Sequence, residues 1–300
     1  MNASARRLFY CDHYAIPLPP DHKFPMSKYA LIRELLARDV FYTFECAPLA
    51  SPEVVKLAHD PEYVDAFLSG ALSRQAMRRI GFPWSEGLVK RTLASAGGTL
   101  SATGDAFDRG WGGTLAGGTH HAFRAEGSGF CVFNDIAIAI QWLRAEGRIR
   151  RAAVIDLDVH QGDGTAHIFE NDPEVLTTSM HCAVNFPFRK QRSKVDVELP
   201  EGTGDEVYLK MLADLLPRVA AFHPEIVFYQ SGVDALAADR LGRLALTHQG
   251  LEERDRIVME TIRENRIPLV VTLGGGYAQP IELTALAHAN TFRVAAEVFG

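Results

Sequence analysis

The stretch Ala152–Gly164 reads AAVIDLDVHQGDG, an apolar run that turns acidic at alternate positions as it ends. Ala152-Ala153-Val154-Ile155 has the character of a buried parallel strand, hydrophobic on both faces. Side chains alternate along a strand, so Asp156, Asp158 and His160 share one side while Ile155, Leu157 and Val159 take the other. Two carboxylates and an imidazole gathered at the end of a buried strand need compensation, and a divalent cation supplies it economically. A single such Asp would read as a cap for the next helix, and a single His as a group satisfied by backbone. Three on one face, followed by Gly162-Asp163-Gly164, read as a metal site. Carboxylate and imidazole together suit zinc or iron(II), with manganese also open.

Outward from this strand, the chain alternates strands and helices. Upstream, Arg7–Cys11 reads as a first strand and Ala15–Pro25, rich in proline, as an irregular loop. Ser27–Ala37 has helical spacing with Ser27 as N-cap, Ser51–Leu72 reads as short helices, and Ser85–Asp108 as a long one. Leu115–His121 is a glycine-rich loop ending in two histidines, and Asn134–Arg144 is an amphipathic helix leading into the central strand. Downstream, Thr165–Phe169 begins a short helix, Val175–Met180 is a strand, and Asn185–Glu201 reads as a polar, basic, solvated loop. Helices over Asp205–Phe222, Gln249–Asn265 and Ile281–Val298 alternate with strands over Glu225–Gln230 and Pro268–Leu273. This predicts an α/β fold: a single domain over residues 1–300, with a mainly parallel sheet flanked by helices on both faces. Asp158 and His160, Ser179 and His181, Asp234, and the turn Gly274–Tyr277 each stand where an apolar strand gives out. In open parallel sheets, ligand sites form outside the carboxyl ends of the strands, so these segments aim at one edge.

Composition narrows the function classes. Three hundred residues at 47% hydrophobic content can bury a large core. A net charge of -6 without a Lys/Arg-rich block argues against nucleic-acid binding, and is compatible with a basic peptide or polyamine partner. Cys11, Cys46, Cys131 and Cys182 form no CxxC pair, which fits a reducing cytosol rather than a disulfide framework. The N-terminal MNASARRLFYCDHY lacks the apolar core of a secretory signal, and no run approaches the ~20 apolar residues of a membrane helix. The chain reads as soluble and cytoplasmic, without membrane attachment, and nothing in it sets an oligomeric state.

Six segments, GGTHHA (117–122), SGFCVFND (128–135), DLDVHQGDGT (156–165), SMH (179–181), QSGVD (230–234) and LGGGY (273–277), occur in one order. With them the chain resembles the zinc-dependent histone deacetylase family, whose fold is shared with arginase. The resemblance implies Asp158, His160 and Asp234 as zinc ligands, with iron(II) as the other candidate, leaving positions for water and a substrate carbonyl. It implies His121 as general base and then acid, His120 as an electrostatic partner, Asp163 and Asp156 as the carboxylates that orient them, and Tyr277 as the oxyanion donor. It further implies a structural potassium ion at Asp156 and Ser179, with backbone at Asp158, His160 and Met180. The substrate tunnel would be lined by Phe130 and Phe186, with Gly118 beside it. Thr119 before the tandem histidines, the segment Gly81–Gly87 (GFPWSEG) with glycine where class I enzymes carry a rim aspartate, and the segments PPDHKFPMSKY and Asn185–Phe188 place the resemblance closest to the class IV and bacterial deacetylase-like branch.

The implied activity is zinc-dependent hydrolysis of acyl groups, acetyl or longer, from lysine side chains of a peptide or protein. Three other readings compete: a deacylase of acylpolyamines or other small acylated amines, an arginase-like ureohydrolase, and an acyl-lysine binder without turnover. The ureohydrolase needs two manganese ions about 3.5 Å apart, and Gly232 stands where a further aspartate would bridge them.

Overall fold

The computed structural model describes residues 5–14 and 16–300. The first four residues of the N-terminal segment and Ala15, the first residue of the expected proline-rich loop, lie outside that description.

Ala152–Asp156 is a strand buried along its whole length, as its unbroken apolar run requires. In chain order the strands are β1 (Arg6–Tyr10), β2 (Tyr42–Cys46), β3 (Trp111–Thr114), β4 (Ala152–Asp156), β5 (Val175–Cys182), β6 (Val195–Leu199), β7 (Val227–Gln230) and β8 (Leu269–Thr272). They form one eight-stranded sheet in the order β2-β1-β3-β8-β7-β4-β5-β6, with every pairing parallel. The helices are α1 (Ser27–Leu36), α2 (Pro52–Val55), α3 (Pro61–Leu68), α4 (Arg74–Ile80), α5 (Glu86–Arg109), α6 (Asp135–Ala145), α7 (Asp163–Ile168), α8 (Asp205–Ala221), α9 (His248–Glu264) and α10 (Ile281–Phe299).

The alternation within β4 separates two cores. Ala153 and Ile155 join Tyr229, Val271 and residues of α8, α9 and α10, whereas Ala152 and Val154 join Phe228, Val270 and residues of α5 and α6. Each fully buried Ile or Phe on these faces contributes about 1.5–3 kcal/mol of apolar burial. Side-chain caps fix where the helices enter: Asn134 accepts from Ala137 N–H at α6, Ser85 from Leu88 at α5, and Thr247 from Gly250 at α9.

Several expectations are corrected. The central strand ends at Asp156, and Leu157–His160 form a bent segment beyond it. Leu157 and Val159 nevertheless stay in the same core as Ile155, so the alternation of faces outlasts the strand. Ser27 is the first residue of α1 rather than its cap; Met26 holds that position without a side-chain bond. The short helix α7 begins at Asp163, two positions before the expected start. The loop expected over Asn185–Glu201 contains the edge strand β6, and Asn185 and Ser193 are buried within it. The edge strand β2 and the glycine-containing β3 are likewise additional to the expected strands. Among the described residues no helix is long and apolar enough to cross a membrane.

Candidate active site

The carboxyl ends of β4, β7 and β8 stand side by side, and the segments leaving them meet. Asp158 and His160 follow β4, Asp234 follows β7, and Gly274–Tyr277 follow β8. His160 Nδ1 lies 3.0 Å from Asp158 Oδ1 and 3.0 Å from Asp234 Oδ2. The remaining oxygens accept from backbone: Asp158 Oδ2 from Gly275 N–H at 2.6 Å, Asp234 Oδ1 from Val159 N–H at 2.8 Å. Three inward atoms are therefore left converging, with their partners fixed from outside.

That arrangement fits a divalent cation. Ligands about 2.0–2.2 Å from a tetrahedral zinc stand roughly 3.3 Å apart, close to the 3.0 Å spacings around His160. Asp158, His160 and Asp234 are the only cluster of three or more potential ligand side chains among the described residues. A Cβ at Gly275 would fall 1.7 Å from Asp234 Oδ2, so glycine is what lets the β8 turn close over the cluster. A Cβ at Gly232 would fall 2.3 Å from Asp158 Oδ2, so a bridging carboxylate there would collide with a ligand already present.

The tandem histidines follow the loop after β3 and are oriented from opposite sides. His120 Nδ1 is 2.7 Å from Asp156 Oδ2, and its Nε2 is 3.9 Å from Asp158 Oδ1. His121 Nδ1 is 2.6 Å from Asp163 Oδ1, in the first turn of α7. Donation from Nδ1 to Asp163 leaves Nε2 as the free nitrogen of the neutral His121 ring. Their rings are 4.0 Å apart, and their environments push their basicities apart. Burial disfavours the charged form of His120, but Asp156 and Asp158 outweigh it and hold its pKa up to about 9. Burial, reinforced by the positive His120, lowers that of His121 to about 4 despite Asp163. The carboxylates beside His120 thus favour its charged form, while burial favours the neutral form of His121.

Tyr277 completes the cleft. Its N–H donates to Asp239 Oδ2 at 2.6 Å, and its ring is 6.3 Å from that of Phe130. Burial, with Asp234 and Asp158 nearby, holds the phenol well above its ordinary pKa, so it remains a protonated donor. Its hydroxyl has no hydrogen-bond partner among the described residues. Phe186 stacks edge-on to His121 at 4.9 Å between ring centres. Phe130 and Phe186 both line the open mouth, a cleft of about 1070 Å³ that reaches His121, His160 and Tyr277. Phe130 holds a φ of 66°, an uncommon backbone conformation that turns its ring into the cleft. Gly118 lines, with Phe130, Tyr277 and both histidines, an inner cavity of about 80 Å³ that shares His121, Phe130, His160 and Tyr277 with the mouth. Asp156 and Ser179 are neighbours in the β4–β5 register and Met180 is fully buried beside them. Ser179 Oγ is 3.0 Å from His181 Nδ1, and Asp156 Oδ1 accepts Asp158 N–H at 3.1 Å.

Sequence reasoning missed the residues that hold these groups. Asp135 accepts from the N–H groups of Gly118 and Thr119 at 3.1 and 2.8 Å, fixing the loop that carries the histidines. His59 accepts from Asn134 N–H at 2.8 Å and, through Nδ1, donates to Phe123 O at 3.0 Å. Lys28, almost wholly buried, donates to Gly274 O at 2.9 Å and lies 5.3 Å from the centre of the Tyr277 ring. Arg254, paired with Asp255 at 2.8 Å, donates to Gly232 O at 2.6 Å under the ligand segments. Aspartates and cations are common on such helices and loops; only the buried destination marks these.

The comparisons with known proteins agree with this geometry. The model of the histone deacetylase domain matches residues 22–292. An uncharacterized protein of Picosynechococcus sp. is 45% identical over 299 residues, covering 97% of this chain and 98% of the relative. Histone deacetylase 2 of Arabidopsis thaliana is 32% identical over 270 residues, covering 85% of this chain and 70% of the relative. The crystal structure of a histone deacetylase homologue from Aquifex aeolicus superposes with a TM-score of 0.80 at 23% identity, covering 98% of this chain and 84% of that one, and shares the fold. The chain belongs to the histone deacetylase family.

Proposed function

We propose that the protein hydrolyses the side-chain amide of acylated lysine, acetyl or longer, with Zn2+ or Fe2+ held by Asp158, His160 and Asp234. The observation that carries this reading is His121, aimed by Asp163 and lining one cavity with Tyr277 and with Asp158 and His160 of the converging ligand set. A cation at that position, when bound, polarises the amide carbonyl and makes its water acidic enough to attack near neutral pH.

The chain's own groups do the rest. His121 Nε2 takes the proton of the attacking water and returns one to the leaving amine nitrogen, its tautomer fixed by Asp163. His120, oriented by Asp156, favours the negative charge that develops on the substrate. The Tyr277 phenol donates to the carbonyl oxygen as it becomes anionic, and Asp239 anchors its backbone. Phe130 and Phe186 flank the methylene stem of the lysine and exclude water from it. A potassium ion beside Asp156 and Ser179 belongs to the same reading. A cytoplasmic site of action also belongs to it, argued from cysteine usage.

The test is hydrolysis of a lysine-peptide series from acetyl to myristoyl by metal-loaded protein, with Asp158→Ala and His121→Ala as controls. Turnover that both substitutions abolish supports the reading, and the chain length cleaved best defines the depth of the pocket. Activity that survives both substitutions overturns it, as does hydrolysis of no acyl-lysine by protein that binds metal stoichiometrically.

A further inference from the structure

The mouth of the cleft carries charge of the opposite sign to the molecule as a whole. The chain has a net charge of -6, yet five cationic side chains, Lys23, Arg78, Arg79, Arg240 and Arg243, line the mouth together with one acidic residue, Glu201. All five are exposed. They come from separate places in the fold: Lys23 from the loop before α1, Arg78 and Arg79 from the last turn of α4, and Arg240 and Arg243 from the loop after β7. Arg79 pairs with Glu126, and Arg243 with Glu201 at 2.8 Å. Lys23, Arg78 and Arg240 have no carboxylate within ion-pair distance among the described residues. The other carboxylates nearby do not neutralise them: Asp21 stands in the adjoining groove, and Asp239 accepts from the N–H groups of Leu241, Gly242 and Tyr277. Between the cations the mouth is apolar, with Phe188 91% exposed and Val184 49% exposed.

We propose that the preferred substrate is an acyl-lysine in an acidic segment, with aspartate or glutamate close to the acylated residue on both sides. The proposal rests on the acyl-lysine hydrolase reading and adds the chemistry of the flanks. A lysine stem between Phe130 and Phe186 leaves its peptide outside the cleft, against α4 on one side and the β7 loop on the other. Carboxylates within a residue or two of that lysine come well inside the Debye length of about 8–10 Å from the rim cations. Arginine forks take such carboxylates bidentately, and an apolar floor between them strengthens the attraction. The same rim repels a polycation, so the acylpolyamine reading and a basic peptide tail are both disfavoured. The expectation of a basic partner, drawn from net charge, is reversed because net charge does not say where the charges sit.

The experiment uses three peptides with the same acyl-lysine and flanking Glu-Glu, Ser-Ser or Arg-Arg pairs, together with N-acetylspermidine, on the metal-loaded full chain. The expected order of kcat/KM is acidic, neutral, basic, with at least about tenfold between the extremes at low ionic strength, shrinking toward unity near 0.5 M salt, where the Debye length falls to a few ångströms. Arg78→Gln with Arg240→Gln should lower kcat/KM for the acidic peptide at least about threefold more than for the neutral one. Equal rates for the three peptides, or a preference for the basic peptide or the polyamine, would overturn this inference alone. No cleavage of any peptide would overturn the hydrolase reading and this inference with it. The salt dependence is read on the unsubstituted protein, so the proposal does not depend on the variants folding.

Discussion

The floor of the cleft and its rim are built on opposite electrostatic plans. On the floor, Asp156, Asp158, Asp163 and Asp234 are all buried, and each is held by a histidine, by backbone N–H groups or by both. On the rim, arginines and a lysine stand in solvent with few partners. Removing a partner from the floor leaves a buried charge unsolvated, whereas removing one from the rim leaves a charge that water accepts. In the proposed reading the floor carries the reaction and the rim selects what reaches it.

This contrast orders the expected effects of substitution. Asp234→Ala removes a third of the donor set and leaves Asp158 facing His160 alone. Stoichiometric metal binding, followed by mass spectrometry or chelator competition, should be lost, and with it at least about a thousandfold of activity. Tyr277→Phe keeps the ring and deletes only the donor; kcat should fall on the order of 10²–10³ with metal content unchanged, and a fall of less than tenfold would take Tyr277 out of the mechanism.

Beneath the floor, Arg254 and Asp255 form a pair with no exposure. Arg254→Met, which leaves the buried Asp255 carboxylate with only the neutral donors Tyr229 and Thr291 and releases the carbonyl of Gly232, should destabilise the fold by about 3–5 kcal/mol in urea unfolding. Arg79 and Glu126 make the corresponding pair at the rim, half exposed on both sides. Arg79→Gln should change stability by less than about 1 kcal/mol. Equal losses for the two pairs would break the comparison.

His59 gives the floor a pH signature between these extremes. Burial depresses its folded pKa to about 4, against its bonds to Phe123 and Arg124 carbonyls. An unfolded histidine titrates near 6.5, so between about pH 6.5 and 4 the unfolded chain binds the proton that the folded one refuses. Stability is therefore present above about pH 6.5 and is lost as pH falls toward 4, by roughly 3 kcal/mol if His59 acted alone. Protonation would also cost the Nε2 acceptor its bond from Asn134 N–H. His59→Gln should flatten that part of the stability–pH curve; an unchanged slope would assign it to another group.

Most of the site was legible because its residues sit at chain positions that carry their own meaning. Asp156, Asp158 and His160 could be placed on one side of the chain from alternation alone, and that relation survives although the strand stops at Asp156. The glycine turn before Tyr277 and the paired histidines fall at strand ends, where parallel sheets place ligands. Less legible were the short or edge strands. β3 is WGGT, whose two glycines weaken any strand propensity, and β6 is VDVEL, an alternating edge strand set in a basic, polar stretch. The hold on the histidine loop was not legible either, because Asp135 takes the Gly118 N–H from 17 positions away.

The sequence by itself determined the alternation of strand and helix, the burial of the central strand, and the identity of the groups gathered at its end, because each follows from local periodicity and the cost of burying charge. The tertiary structure alone decided the partners. Lys28 reaches Gly274 across 246 positions, Asp234 reaches Val159 across 75, and five cations from three segments meet at one mouth. Local patterns record which side of an element a residue faces. Only the packing of elements against one another records what it meets there, and electrostatic energies depend on that meeting.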